Sequence, residues 1–92
     1  MIASFRSKDL ERFWWKGEAK HIDPAHLKKV TRQLGELESA SARGDMDLPG
    51  YRFHKLTGAA RYAIRVDKNY RITFAWSATG PDAVDVDYQD YH

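Results

Sequence analysis

Two phenols, an amide, a carboxylate and an imidazole fall within five residues in Tyr88-Gln89-Asp90-Tyr91-His92, and a second imidazole, His54, stands beside Lys55. A third run, Asn69-Tyr70-Arg71-Ile72-Thr73-Phe74, places an arginine among strand-forming residues. Imidazoles exchange protons near neutral pH, and a guanidinium grips phosphate through two parallel N–H bonds. Together they suit cleavage of RNA without a metal. Such a reaction needs a base for the ribose 2′-hydroxyl, positive charge for the phosphorane and an acid for the leaving 5′-oxygen. His54 reads as acid or base, or as a hydrogen-bonded, half-buried imidazole. Arg71 reads as a phosphate ligand, or as a cross-strand ion pair with Asp85 or Asp87. Asp90 could orient an imidazole or carry a solvated charge, and Tyr91 could stack on a base or simply pack. His21 and His26 share no evident site with His54 and read as structural or surface residues.

Charge distribution adds to this reading. The net charge is +2, yet residues 1–80 hold all 15 Lys and Arg against nine acids, while residues 81–92 hold Asp82, Asp85, Asp87 and Asp90 and no base. Between positions 51 and 71 lie Arg52, Lys55, Arg61, Arg65, Lys68 and Arg71 against Asp67 alone. A basic, tyrosine-rich stretch attracts a phosphate backbone and offers rings for stacking, so Lys55, Arg61, Arg65 and Lys68 are expected to bind RNA. The plainer alternative is a solvated sheet face. Cysteine is absent, which excludes disulfides, thiolate nucleophiles and cysteine-held zinc. No Gly-rich phosphate loop or serine elbow occurs, and no cofactor or metal is expected. With neither an export signal nor a membrane-length apolar run, a cytoplasmic location is expected.

Ninety-two residues suit one small domain spanning 1–92. Ile2 to Phe5 reads as a short strand. Lys8 to Lys16 reads as a helix with Leu10, Phe13 and Trp14 on one stripe, and Trp14 and Trp15 as core or hinge packing. Asp23-Pro24 is a helix-start signal, after which Leu27, Val30, Leu34 and Leu37 repeat at intervals of 3 and 4 to about Ser39. A loop through Gly50 follows. Tyr51 to Leu56, Arg61 to Val66, Tyr70 to Trp76 and Ala83 to Tyr88 then read as strands of an antiparallel meander. Alternation puts Tyr62, Ile64, Val66, Tyr70, Ile72, Phe74, Trp76, Val84 and Val86 on one face, and Arg65, Arg71 and Thr73 on the other. The order of elements predicts an α+β fold, helices on one sheet face and the other open to substrate.

Four stretches carry a resemblance to the HigB-type toxins of the RelE/ParE toxin–antitoxin superfamily: Met1-Ile2-x-Ser4-Phe5, Tyr51-x-x-His54-x-Leu56-x-Gly58, Asn69 to Phe74, and Asp87 to His92. They cover the chain in order. The resemblance implies a RelE-like single domain, two N-terminal helices on a mainly antiparallel sheet of four to five strands. It also implies a ribosome-dependent mRNA endoribonuclease that cuts in the A site and stops translation. His54, Arg71, Asp90, Tyr91 and His92 match the motif positions tied to activity: His54 and His92 for proton transfer, Arg71 for transition-state charge, Asp90 and Tyr91 for orienting His92 and touching the base. The family often has a lysine three residues after the histidine; Thr57 stands there, with Lys55 as a substitute.

The resemblance further implies a HigA-like helix-turn-helix antitoxin, contact with the 70S ribosome and mRNA, and operator DNA met only through the antitoxin. The helix faces around Lys8 to Lys16 and Lys28 to Arg32 are the expected docking surfaces. Two other readings share the fold: a ParE-like toxin that inhibits DNA gyrase by binding, which needs no convergent histidines, and a regulatory corepressor.

Overall fold

The computed structural model describes residues 1–77 and 79–90, and both Tyr91 and His92 lie outside the described residues. Helix α1 spans Lys8–Lys16 and α2 spans Leu27–Ser39. Strands β1 (His54–Lys55), β2 (Tyr62–Arg65), β3 (Tyr70–Trp76) and β4 (Ala83–Asp90) form one antiparallel sheet in the order β1-β2-β3-β4.

Helix α1 forms where expected. Ser7 caps it by accepting the Leu10 N–H at 3.1 Å, and Gly17 ends it at φ 71°, a left-handed conformation that glycine adopts without strain. Leu10 is buried and Phe13 and Trp14 half-buried, but Trp15 is 59% exposed rather than packed in the core. One helical step turns the side chain by about 100°, which carries Trp15 off the stripe of Trp14. Asp23 caps its segment through the Ala25 N–H at 2.9 Å, yet the first turn, Pro24–His26, is 3₁₀ before α2 begins. Val30, Leu34 and Leu37 of α2 are wholly buried against Ile64, Ile72 and Phe74 of the sheet's covered face in one core. Each such side chain contributes roughly 1.5–3 kcal/mol by leaving water.

Two expected strands are shorter than their sequences suggest. From Tyr51 to Leu56 only His54–Lys55 form regular strand, because Arg52 turns through φ 49°, although the Tyr51 carbonyl still accepts the Arg65 N–H at 2.6 Å and the Leu56 N–H donates to the Arg61 carbonyl at 2.8 Å. Tyr51 is buried instead, its hydroxyl donating to the Glu36 carboxylate, with Lys29 and Arg32 over its ring. Residues 2–5 lie parallel to β4 in two isolated bridges, Ile2 with Ala83 and Phe5 with Val86, rather than as a continuous strand. The interruption is a bulge in β4 at Asp85, φ 51°, whose N–H is taken by the Ser4 hydroxyl at 2.9 Å.

That bulge also corrects the strand parity. Ala75 pairs with Val84 and Trp76 with Ala83, whereas Thr73 pairs with Asp87. Ala83 and Val86 therefore share the core face, and Val84 lies on the open face with Ala75. An extra residue reverses the alternation on either side of it.

Candidate active site

Cross-strand partners share a sheet face, so the register lists what the open face carries. One row runs His54, Ala63, Thr73, Asp87, and the next runs Arg65, Arg71, Gln89. Strand spacing of about 4.8 Å sets His54 roughly 10 Å from β3 across this face.

His54 is exposed at the edge of the sheet. Its Nδ1 lies 2.8 Å from the Arg52 carbonyl oxygen, which can only accept, so Nδ1 carries a proton and, in the neutral ring, Nε2 keeps its lone pair. The turn at Arg52 that shortened the strand is thus also what orients the imidazole. In this tautomer His54 can take a proton from a substrate hydroxyl.

Arg71 and Arg65 are direct register partners on adjacent strands. The Arg71 Nη1 donates to the carbonyl oxygens of Asp67 at 2.7 Å and Tyr70 at 3.0 Å, which folds the guanidinium against the β2–β3 turn. That turn is built by Asp67, whose Oδ1 accepts the N–H groups of Asn69 and Tyr70, both at 2.8 Å. Two arginines thus leave adjacent strands on one face, a supply of positive charge suited to an anion.

Arg61 is tied into the sheet by hydrogen bonds. Its Nη2 donates to the Thr73 hydroxyl at 2.9 Å and to the Asp85 carbonyl at 2.8 Å, and the Thr73 hydroxyl donates in turn to Gln89 Oε1 at 2.9 Å. The chain of bonds pins Gln89 beside Arg71 with its carboxamide N–H₂ as a donor group. Sequence reasoning missed Gln89, although the alternation that selects Arg71 would have found it had the β4 register been known.

Lys55 pairs with Tyr62, so its side chain leaves the strand on the opposite face from His54, and Lys68 is exposed in the β2–β3 turn. Asp90 pairs with Tyr70 and leaves the sheet on the helix-covered side, at the end of β4. The structure therefore brings His54, Arg65, Arg71, Thr73 and Gln89 to one face, with Asp90 on the other face at the end of β4. Tyr91 and His92 follow Asp90 outside the described residues. Among the described residues, no three His, Asp or Glu side chains are placed to hold a metal ion, and no helix is long and apolar enough to cross a membrane.

Residues 3–92 match the family described as the RelE-like toxin of type II toxin–antitoxin system HigB. The chain belongs to that family. It is 30% identical over 94 residues to the Endoribonuclease HigB of Proteus vulgaris, covering all of both chains. It is also 34% identical over 80 residues to the Toxin HigB-1 of Vibrio cholerae serotype O1, covering 83% of this chain and 84% of the other. The chain is thus the toxin of a type II pair, which implies an antitoxin partner, and the α+β architecture is the RelE-like one. Family and relatives together support endoribonuclease activity for this HigB-type toxin.

Proposed function

We propose that this HigB-family toxin cleaves mRNA in the ribosomal A site by metal-independent acid–base chemistry. The observation that carries the reading is the open sheet face, on which a base-competent imidazole, His54, shares a surface with the register partners Arg65 and Arg71. His54 Nε2 takes the proton of the ribose 2′-hydroxyl as its oxygen attacks phosphorus. Arg65, Arg71 and the Gln89 amide hold the phosphate and the charge that builds on it. The bond to the 5′-oxygen breaks, leaving a cyclic phosphate, and a proton passes to that oxygen. His92 supplies this proton in the proposed scheme, with Asp90 and Tyr91 orienting it. Lys68, exposed beside the Arg71 turn, extends the phosphate-binding charge.

A ribosomal substrate places the toxin in the cytoplasm. The antitoxin is proposed to be a HigA-like helix-turn-helix protein that carries the toxin to operator DNA. It docks on the helical side, around Lys8–Lys16 and Lys28–Arg32, where Trp15 stands exposed among Lys8, Glu11, Arg12 and Lys16. Partner and mRNA then occupy opposite sides of the sheet.

The test is cleavage of mRNA on programmed ribosomes with an open A site, across varied codons, comparing wild type with His92→Ala and Arg71→Ala. Cleavage by wild type and its loss in both variants supports the reading. Growth arrest without cleavage would shift the function to gyrase inhibition, and no arrest at all to a corepressor.

A further inference from the structure

A second cluster of titratable groups lies behind the sheet, outside the cleavage face. His26, 5% exposed, points its Nε2 at Asp67 Oδ2, 2.6 Å away, and its Nδ1 at the Tyr88 hydroxyl, 2.5 Å away. Asp23 Oδ2 lies 3.9 Å from the same Nε2. The Tyr70 ring meets the imidazole edge-on at 4.8 Å and stacks on the Tyr88 ring at 5.0 Å. Three elements are joined here: the 3₁₀ turn before α2, the β2–β3 turn and the end of β4.

Two of the three candidate catalytic groups among the described residues, Arg71 and Asp90, are attached to this cluster. The Asp67 main-chain carbonyl holds the Arg71 guanidinium, and the same Asp67 gives its side chain to His26. Tyr88 stands two residues before Asp90, and Tyr70, which stacks on it, is the register partner of Asp90. Apolar side chains would fill this space with less demand on geometry, because dispersion contacts permit sliding while hydrogen bonds fix distance and angle.

We propose that His26 is a positioning residue of the cleavage site, coupling the turn that holds Arg71 to the strand end that carries Asp90 and leads to Tyr91 and His92. The inference rests on the RNA-cleaving reading for its consequence, but the coupling itself is a property of the fold. Asp67, an ionised carboxylate, can only accept, so Nε2 of His26 donates to it. Nδ1 shares the second hydrogen bond with the Tyr88 hydroxyl. The imidazole works as a two-ended strut, and a displaced Arg71 or Asp90 loses the alignment on which rate depends.

Tyr88→Phe tests this, since it removes one oxygen and keeps the ring that stacks on Tyr70. Tyr62→Phe, outside the cluster, is the control. At a temperature where all three proteins remain folded, Tyr88→Phe is expected to lower kcat on programmed ribosomes at least tenfold with KM within twofold, and Tyr62→Phe to change neither. Unaltered kcat in a folded Tyr88→Phe protein overturns the proposal, as does a loss shared equally between kcat and antitoxin affinity. Nuclear magnetic resonance supplies an arm independent of activity. The His26 ring nitrogens should report the Nε2–H form, and Tyr88→Phe should shift the Arg71 guanidinium and Asp90 amide signals. If wild type cleaves no programmed mRNA, the functional reading fails and those shifts alone decide: their presence supports the coupling, and their absence refutes it.

Discussion

Arg65 and Arg71 face each other as register partners across β2 and β3, two like charges placed where a sheet ordinarily puts a favourable pair. Like charges directly opposite each other are destabilising, by roughly 0.2–1 kcal/mol, and in the proposed reading an RNA phosphate offsets this on binding. Arg65→Gln is therefore expected to raise stability by a few tenths to about 1 kcal/mol at low salt while lowering cleavage. Arg71→Ala should cost on the order of 10²–10³ in kcat, comparable to losing one oxyanion donor. Paired melting curves and ribosome-based cleavage rates check both, and an Arg65→Gln protein that is less stable than wild type would contradict the repulsion.

His54→Ala removes an exposed side chain from the edge strand, so the fold should survive. Cleavage should fall by about 10²–10⁴, the range for a positioned general base. A near-normal rate would remove His54 from the proton transfer and leave its bond to Arg52 as its whole role.

Thr73→Val keeps the shape of a buried side chain and deletes the hydroxyl linking Arg61 to Gln89. The expected effect is a stability loss of roughly 1 kcal/mol or more, with cleavage reduced further than folding accounts for. Urea denaturation beside single-turnover cleavage separates the two.

Stability should change at both extremes of pH. The N–H groups of Asn69 and Tyr70, and then His26, hold the Asp67 carboxyl down at about 2, from an ordinary 3.8. Its contribution is thus complete above about pH 4 and is lost as pH falls from 4 towards 2. Burial, foremost, pushes both Tyr51 and Tyr88 up to about 12 from 10.0, so their contribution holds below pH 10 and is lost between 10 and 12. Melting temperature against pH should fall in both windows, with Asp67→Asn flattening the acid limb and Tyr88→Phe reducing the alkaline one.

Trp15→Ala should weaken the complex with the antitoxin by at least tenfold while cleavage by the free toxin is unchanged, because α1 covers the opposite side of the sheet from His54. An exposed indole among charged side chains of both signs has the character of an interface anchor, worth about 2 kcal/mol or more when covered. Titration calorimetry with the cognate antitoxin measures this, and unaltered affinity would relocate the dock to the Lys28–Arg32 face.

Elements governed by local chemistry were readable in advance. The spacing of Leu10, Phe13 and Trp14 and the residues Ser7 and Gly17 define α1, and the run from Tyr70 to Trp76 defines β3, because caps and periodicity act within a few residues. Arg65, Arg71 and Thr73 were assigned to the open face for the same reason. His26 was not recognised as the centre of a cluster, since Asp67 and Tyr88, its partners, lie 41 and 62 positions away. Val84 was assigned to the wrong face because Asp85, an ordinary residue in sequence, adopts a left-handed conformation.

The sequence by itself determined the α+β order of elements, the apolar faces that must be buried, and a supply of imidazole and guanidinium groups suited to RNA. Each of these follows from composition and short-range periodicity. Tertiary structure alone decided which groups meet: that Arg65 opposes Arg71, that Thr73 ties Arg61 to Gln89, that Arg52 sets the His54 tautomer, and that Lys55 leaves the sheet on the other side. Those relationships depend on strand register, and register is settled by a bulge, a turn and a buried imidazole acting across the whole fold.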